Sequence, residues 1–317
     1  MRIDLKTAAK RLLENDNIVL LTHSHPDGDT LGAAFSLKRA LMKKGISSEV
    51  ICNDDIPEKF SYMFDDIDNK NIEKSDFVVA VDVADKVLLG ESVEKLYGDK
   101  INMAIDHHGS NRLEGTDLLL DSSAAAVCEI IFMLIREMGV EIDKKIADCL
   151  YTGLSTDTGC FRYFNTTART YRMASELIEA GAEHGTINQI MFETKTRTYM
   201  KLESLVMDTM EMHFDDRCVI VTLTQDMYEK SGSNESEIDP LAAKTRQIEG
   251  VLVGAVLREK ADGSFKVSMR TNGNLDCSEI CSRLGGGGHP RAAGCQIDGP
   301  LENAKKKLIE AIGEHLK

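Results

Sequence analysis

The sequence predicts an α/β fold: a parallel sheet with helices on both faces, followed by a smaller α+β domain. Over the first half of the chain, continuous apolar runs alternate with helical stretches, which is typical of parallel strands covered on both faces. Beyond residue 213 the pattern changes to a strand and a hairpin. A chain of 317 residues has room for two domains.

The first half supplies the parallel sheet in chain order. An amphipathic N-terminal stretch precedes a strand at 17–22, and a turn at Pro26 and Gly28 leads into a helix over 30–45 that stops at Gly45. Further strands are predicted in "SSEVIC", "DFVVAVDVAD" and "INMAIDHHG", and helices in "SAAAVCEIIFMLIREMG" and "DKKIADCLYTGLSTDTG". We therefore expect a first domain over residues 1–185.

The second half is expected to hold a helical linker over 186–212 and a second domain over 213–317. In that domain "RCVIVTLT" is a strand, and "VLVGAVLREKADGSFKVSMRTNG" is a hairpin with its turn at "ADGS". "CSEICSRL" and "LENAKKKLIEAIGEHLK" are predicted as helices.

Composition excludes several classes of protein. The net charge of −14 argues against binding long duplex nucleic acid, which depends on neutralising many phosphates. No apolar run approaches ~18 residues and no signal-peptide core is present, so we expect a cytoplasmic protein without membrane contact.

Most of the eight cysteines are expected to be inert core thiols. The spacing of Cys277, Cys281, His289 and Cys295 is not that of the usual zinc knuckles.

Acids and imidazoles gather where three of the predicted strands end. In open parallel sheets the carboxyl ends of strands form one edge, and ligands bind there. Three segments therefore deliver such side chains to one place, and Asp157 lies in a further segment, "DKKIADCLYTGLSTDTG". The candidate metal ligands are His23, Asp27, Asp29, Asp82, His107 and Asp157.

Carboxylates with a minority of imidazoles suit Mn²⁺ or Mg²⁺. Six candidates exceed what one ion usually takes, which indicates two ions ~3.5–4 Å apart that share a carboxylate and activate a bridging water as hydroxide. Each residue alone also fits a structural role: Asp27 in a turn, Asp157 as a cap, Asp106 as the partner that orients His107. The convergence of separate segments favours the metal site. His25 is expected in the exposed loop or beside the ligands.

A glycine-rich segment, "GGGGHPRAAG", lies in the second half. Glycines let the backbone approach a ligand and expose N–H groups to an anion, although a flexible loop or tight packing is an alternative. His289 lies next to them, and Arg270 is expected near the end of a hairpin strand, where a guanidinium can clamp a phosphate through two hydrogen bonds. The candidate substrate-binding residues are Arg270, Gly286, Gly287, Gly288 and His289. Arg291 receives no role, and for Arg162 and Asn165 surface or capping roles fit equally well.

Five segments resemble one family. "THSHPDGDTLGA", "VAVDVAD", "IDHHGSN" and "GLSTDTGCFRYFNTT" are similar to the motifs of the DHH phosphoesterases, and "GGGGHPRAAG" is similar to the signature of the DHH-associated C-terminal domain. They occur in the family's order over nearly the whole chain. Within the family, the chain is most similar to the short two-domain nanoRNase/pAp phosphatase group.

The resemblance implies two Mn²⁺ ions, with Mg²⁺ or Co²⁺ as substitutes. It implies that His23, Asp27 and Asp82 hold one ion. Asp29, His107 and Asp157 would hold the other, with Asp82 shared between the two. His108 would donate a proton or hydrogen bond to the scissile phosphate group, and Asp106 would orient the histidines.

The implied reaction is attack of a metal-bridging hydroxide on phosphorus, which converts short oligoribonucleotides to 5′-mononucleotides and pAp to AMP and phosphate. Hydrolysis of cyclic di-AMP or pApA is an alternative that the motifs do not separate. A non-catalytic nucleotide sensor on the same fold is an alternative of another class. A manganese pyrophosphatase lacks the glycine-rich signature, and a RecJ-type exonuclease carries extra domains. The oligomeric state stays open, with a homodimer as the candidate.

Overall fold

The structure is a computed structural model that describes residues 1–67, 75–235 and 239–316. It divides into two compact units, Met1–Thr194 and Lys195–Lys317. Each unit has its own sheet and its own hydrophobic core. No helix in the described part of the chain is both long and apolar enough to cross a bilayer.

The sheet of the first unit is entirely parallel, as the apolar runs predict. Its strand order is β2-β1-β3-β4-β5. The strands are β1 Ile18–Leu21, β2 Ser48–Ile51, β3 Phe77–Val81, β4 Met103–Asp106 and β5 Asp117–Leu120.

Helices cover both faces of this sheet. Alternate residues of β1 show the two layers: Ile18 and Leu20 pack into the larger helical core, whereas Val19 and Leu21 pack on the opposite side. The prediction of a doubly covered sheet is therefore confirmed. The helices are α1 Leu5–Leu13, α2 Gly28–Lys43, α3 Glu91–Tyr97, α4 Val127–Glu137, α5 Lys144–Asp157, α6 Ala168–Glu179 and α7 His184–Asn188.

The strand order creates a crevice at one place on the carboxyl edge. After β1 the chain crosses to β2 on one side, and it then returns to place β3 on the other side of β1. The connections therefore diverge between β1 and β3, which leaves the carboxyl ends of these two strands open for a ligand.

The second unit contains a mixed sheet with the order β10-β11-β9-β8-β7-β6. Its strands are β6 Glu211–His213, β7 Cys218–Leu223, β8 Val253–Glu259, β9 Phe265–Thr271, β10 Gly287–His289 and β11 Ala292–Ile297. The expected hairpin is the antiparallel pair β8 and β9. The helices are α8 Arg197–Met207, α9 Gln225–Ser231, α10 Asp239–Thr245, α11 Cys277–Ser282 and α12 Leu301–Gly313.

The helical stretch expected near residues 186–212 is present in separate pieces. A π-helical turn, Gln189–Glu193, follows α7, and α8 begins only at Arg197. Tyr199 and Leu202 of α8 are buried in a core of the second unit. The last residues of the stretch form β6 rather than helix, because they pair with β7.

Candidate functional site

The six candidate ligands all lie at the carboxyl edge of the first sheet. Two groups of three have ligand atoms that all lie within 4.8 Å of one another. One group is His23, Asp27 and Asp82, and the other is Asp29, His107 and Asp157. The structure thus brings together residues that are up to 134 positions apart in the chain.

Both histidines present Nε2 to the cluster. His23 Nδ1 lies 2.8 Å from the Ser24 carbonyl oxygen, and His107 Nδ1 lies 3.1 Å from the Ala124 carbonyl oxygen. A carbonyl only accepts, so each Nδ1 carries the hydrogen and each Nε2 keeps its lone pair. This is the tautomer that a metal-binding histidine needs.

Separations within the cluster suit ions rather than direct hydrogen bonds. His23 Nε2 is 3.7 Å from both Asp27 Oδ1 and Asp82 Oδ2, and His107 Nε2 is 3.7 Å from Asp157 Oδ2 and 3.8 Å from Asp82 Oδ1. Two ligand atoms that are each ~2.1 Å from one ion stand about 3–3.6 Å apart. Asp82 is the carboxylate that approaches both histidines, as a shared ligand would.

Helix termini hold three of the carboxylates. Asp27 is the N-cap of α2, where its Oδ1 accepts from the N–H groups of Asp29 and Thr30. Asp29 accepts from the N–H groups of Val127 and Cys128 at the start of α4, at 2.6 and 2.9 Å. Asp157 is the last residue of α5, where a carboxylate meets the negative helix end, an unfavourable position that a cation would relieve.

The carboxylates of the cluster repel one another, and this repulsion must be neutralised. Burial, followed by repulsion from Asp29 and Asp27, raises the pKa of Asp82 well above its usual range. The same causes raise the pKa of Asp157, and burial raises that of Asp29. Asp82 Oδ1 is buried without a hydrogen-bond partner. Such crowding is stable only if protons or cations neutralise it, and the oxygen-rich donor set fits divalent cations.

His108 and Asp106 form a separate pair beside the cluster. His108 Nδ1 lies 2.8 Å from Asp106 Oδ1, and this hydrogen bond raises the pKa of His108. Burial raises the pKa of Asp106, but the hydrogen bonds from His108 and Asn111 outweigh it and the pKa is lowered. His108 Nδ1 is also 3.5 Å from Asp82 Oδ1, so it belongs to a third potential metal group with Asp82 and His107. Because that same nitrogen is bonded to Asp106, the pairing favours a role other than metal ligation.

The candidate substrate-binding residues lie in the second unit on β9 and on β10 with the residue before it, and β11 lies between these two strands. His289 of β10 stands opposite Ala292 of β11, which in turn stands opposite Arg270 of β9. His289 is exposed, and Arg270 is half-buried with Nη1 donating to the Met269 carbonyl oxygen. The imidazole and the guanidinium therefore belong to one row across the sheet.

Packing accounts for two of the three glycines. A Cβ at Gly286 would lie 2.1 Å from the Gly294 carbonyl oxygen, and one at Gly288 would lie 2.6 Å from the Ala292 carbonyl oxygen. Gly287 has open space around it. Of the three, only Gly287 is left without a packing explanation, so it is the position at which a ligand has room to approach.

Asn111 and helix α4 contact the cluster, although no sequence pattern predicts a role for either. Asn111 lies in the "IDHHGSN" segment and bonds Asp106, while α4 receives the Asp29 carboxylate. Asn165, for which capping was expected as readily as function, donates to the backbone carbonyls of Asp157 and Ala125. His25 is exposed and paired with Asp54. Only the position of Asn111 within a recognised motif gave a signal in the sequence.

Comparisons with known proteins agree with this architecture. The model of the DHH family, N-terminal domain, matches residues 17–154, and that of the DHHA1 domain matches residues 215–317. A Thermus thermophilus protein named bifunctional oligoribonuclease and PAP phosphatase NrnA is 34% identical over 94% of this chain and 90% of its own length. A Geobacillus thermodenitrificans protein named cyclic-di-AMP phosphodiesterase GdpP is 25% identical over 96% of this chain but 48% of its own length.

One solved structure shows the same fold over the whole chain. It is an exopolyphosphatase-related protein from Bacteroides fragilis, with a TM-score of 0.90, 23% identity, and coverage of 98% of this chain and 96% of its own. Taken with the two matching domain models and the Thermus relative, this agreement leads to one assignment: the chain belongs to the DHH family of phosphoesterases with a C-terminal DHHA1 domain, and it is a hydrolase.

Proposed function

We propose that this hydrolase cleaves short oligoribonucleotides to 5′-mononucleotides and pAp to AMP and phosphate, with two Mn²⁺ ions as cofactors. The observation that carries the proposal is the partly buried cluster of acids and imidazoles from four segments, in which the buried Asp82 Oδ1 has no hydrogen-bond partner. The name of the Thermus relative supports the choice of substrates.

The metal would be held by this chain's own side chains in two sets. His23, Asp27 and Asp82 suit one ion, and Asp29, His107 and Asp157, with Asp82 shared, suit the other. When bound, such a pair of ions lowers the pKa of water toward ~7 and neutralises charge on a phosphate. Mg²⁺ or Co²⁺ would be substitutes, since the donor set does not select strictly among these ions.

His108 is proposed as the proton donor to the departing ribose oxygen. Its Nδ1 faces Asp106, which leaves Nε2 to carry the proton, and its raised pKa favours the protonated ring. Asp106 would keep the ring in this orientation. The side chain of His108 is 35% exposed, so a substrate has access to it.

Arg270 and His289 are proposed to bind substrate phosphate and nucleoside groups, with Gly286, Gly287 and Gly288 bringing the backbone close. A net charge of −14 leaves little general attraction for long polymers, which suits small anionic substrates bound by a few local cations. A cytoplasmic location and a homodimer remain predictions.

A substrate panel tests the proposal. Purified protein loaded with Mn²⁺ should release mononucleotides from RNA dimers to pentamers and phosphate from pAp, measured by anion-exchange chromatography. Asp82→Ala, which removes the shared ligand, should lower turnover by at least ~10³-fold. Full activity of that variant, or of the wild type in excess EDTA, contradicts the two-metal proposal.

Hydrolysis of cyclic di-AMP or pApA is the second candidate, favoured by the similarity to the Geobacillus phosphodiesterase. Including both compounds in the panel separates the two. A kcat/KM for cyclic di-AMP far above that for RNA dimers and pAp would replace the first proposal with the second. Family membership and the full ligand set favour either enzyme over a non-catalytic nucleotide sensor.

A further inference from the structure

Asn111 joins the two loops that carry the centre of the candidate metal site. Its Nδ2 donates to the Val83 carbonyl oxygen at 3.1 Å and to Asp106 Oδ2 at 2.6 Å. Its Oδ1 accepts from the Leu113 N–H at 2.9 Å. One side chain therefore contacts the residue after Asp82 and the residue before His107.

The first contact holds the turn that presents Asp82. Asp82 directly follows β3 and lies in the left-handed region, with φ of 59°, a conformation that is uncommon for non-glycine residues although aspartate is among those that adopt it most readily. The Asp82 N–H donates to the Ile105 carbonyl oxygen on one side of this turn. The bond from Asn111 to the Val83 carbonyl fixes the other side.

The second contact sets the rotation of the Asp106 carboxyl. Asp106 Oδ1 already accepts from the backbone N–H groups of His107 and His108 and from His108 Nδ1. Its Oδ2 accepts from Asn111. A bond to each oxygen locks the plane of the carboxyl, and with it the backbone from which both histidine side chains project.

We infer that Asn111 is a positioning residue that fixes the positions of Asp82, His107 and His108 relative to one another for binding of the metal pair. This inference rests on the proposed metal-dependent function and adds to it a residue that touches neither metal nor substrate. Groups that orient metal ligands in this way typically change metal affinity or activity about 10–100-fold when removed.

A matched asparagine at the opposite edge of the sheet separates positioning from simple stabilisation. Asn102 also links β3 to the β4 segment, since its Oδ1 accepts from the Val78 N–H at 2.8 Å. It lies before β4 begins, at the amino edge of the sheet and away from the cluster. Asn102→Ala therefore removes a similar side-chain tie between the same two segments.

The experiment measures Mn²⁺ binding by isothermal titration calorimetry for the wild type, Asn111→Ser, Asn111→Ala and Asn102→Ala. Serine keeps an oxygen that accepts from the Leu113 N–H, so the local turn survives while both long-range donations are lost. If Asn111→Ala does not fold, Asn111→Ser alone decides. Thermal melts in EDTA report on the fold of each variant, and kcat and KM are measured with pAp.

Asn111→Ser should weaken Mn²⁺ binding about 10–100-fold and lower kcat with little change in KM, whereas Asn102→Ala should bind Mn²⁺ like the wild type. Wild-type affinity in Asn111→Ser, or an equal loss in Asn102→Ala, overturns the inference alone. A wild type that binds no Mn²⁺ overturns the proposed function and this inference with it.

Discussion

Asp82 occupies a position that is unfavourable for a charged residue. It is 5% exposed, surrounded by Asp29, Asp27, Asp157 and Asp106, and held with a positive φ. Burial among like charges destabilises the folded protein when no cation is bound, and the positive φ adds a backbone cost with or without one. Their combination at one position is what a site built to bind cations requires.

Asp82→Asn should therefore raise the melting temperature of the metal-free protein by about 2–6 °C while abolishing the stabilisation by Mn²⁺. Asparagine has the same shape and tolerates positive φ, so the substitution removes mainly charge. Differential scanning calorimetry in EDTA and in Mn²⁺ measures both effects. The exposed Asp298→Asn serves as the control. A lower melting temperature in EDTA contradicts this view of the cluster.

At the scale of elements, glycines set the distance between α2 and α5. A Cβ at Gly32 would lie 2.3 Å from the Cys149 carbonyl oxygen, and one at Gly153 would lie 2.7 Å from Asp29 Oδ1. The first contact is to backbone, which cannot rotate away. Close approach of these helices brings Asp29, near the start of α2, to Asp157 at the end of α5.

Gly32→Ala should lower the free energy of unfolding by about 1–3 kcal/mol, because the two helices must move apart. Gly185 in α7 is the matched control, since a Cβ there meets nothing within 4 Å. Gly185→Ala should be neutral or stabilise by up to ~1 kcal/mol. Urea denaturation followed by circular dichroism compares the two, and equal stability of both variants would mean that the α2–α5 contact tolerates a methyl group.

On the scale of the whole molecule, the candidate site residues are divided between two units with separate cores. The candidate metal ligands belong to the first unit, and Arg270 and His289 belong to the second. If each unit serves one part of the reaction, substitutions in the second should change binding of the nucleotide more than chemistry at phosphorus.

Arg270→Ala should raise KM for RNA dinucleotides about 10-fold or more, while changing KM for bis(p-nitrophenyl) phosphate less than about 2-fold. The reason is that the dye lacks the nucleotide groups that the arginine is proposed to bind. Steady-state kinetics with both substrates measure the split, and Arg291→Ala, an exposed neighbour without an assigned role, is the control. Equal effects on both substrates would remove Arg270 from nucleotide recognition.

The local pattern of the sequence was enough to determine the parallel sheet, the hairpin of the second unit and the residue types at the strand ends. Apolar runs such as 17–22 and turn signals such as "ADGS" act over a few residues, so they are readable without a structure. Local pattern does not predict where the helical stretch near 186–212 ends, because Glu211 joins a strand through pairing with a segment that follows it.

Only the tertiary structure decided how the site is held. Asp29 bonds the start of α4, 98 and 99 residues away, and Asn111 reaches back 28 residues to Val83. The left-handed turn at Asp82 likewise exists because β4 lies beside β3. The strand pattern predicts that these segments meet at one edge of the sheet, but it does not show which groups bond to each other, because hydrogen bonds between remote segments form only once the sheet and helices are assembled.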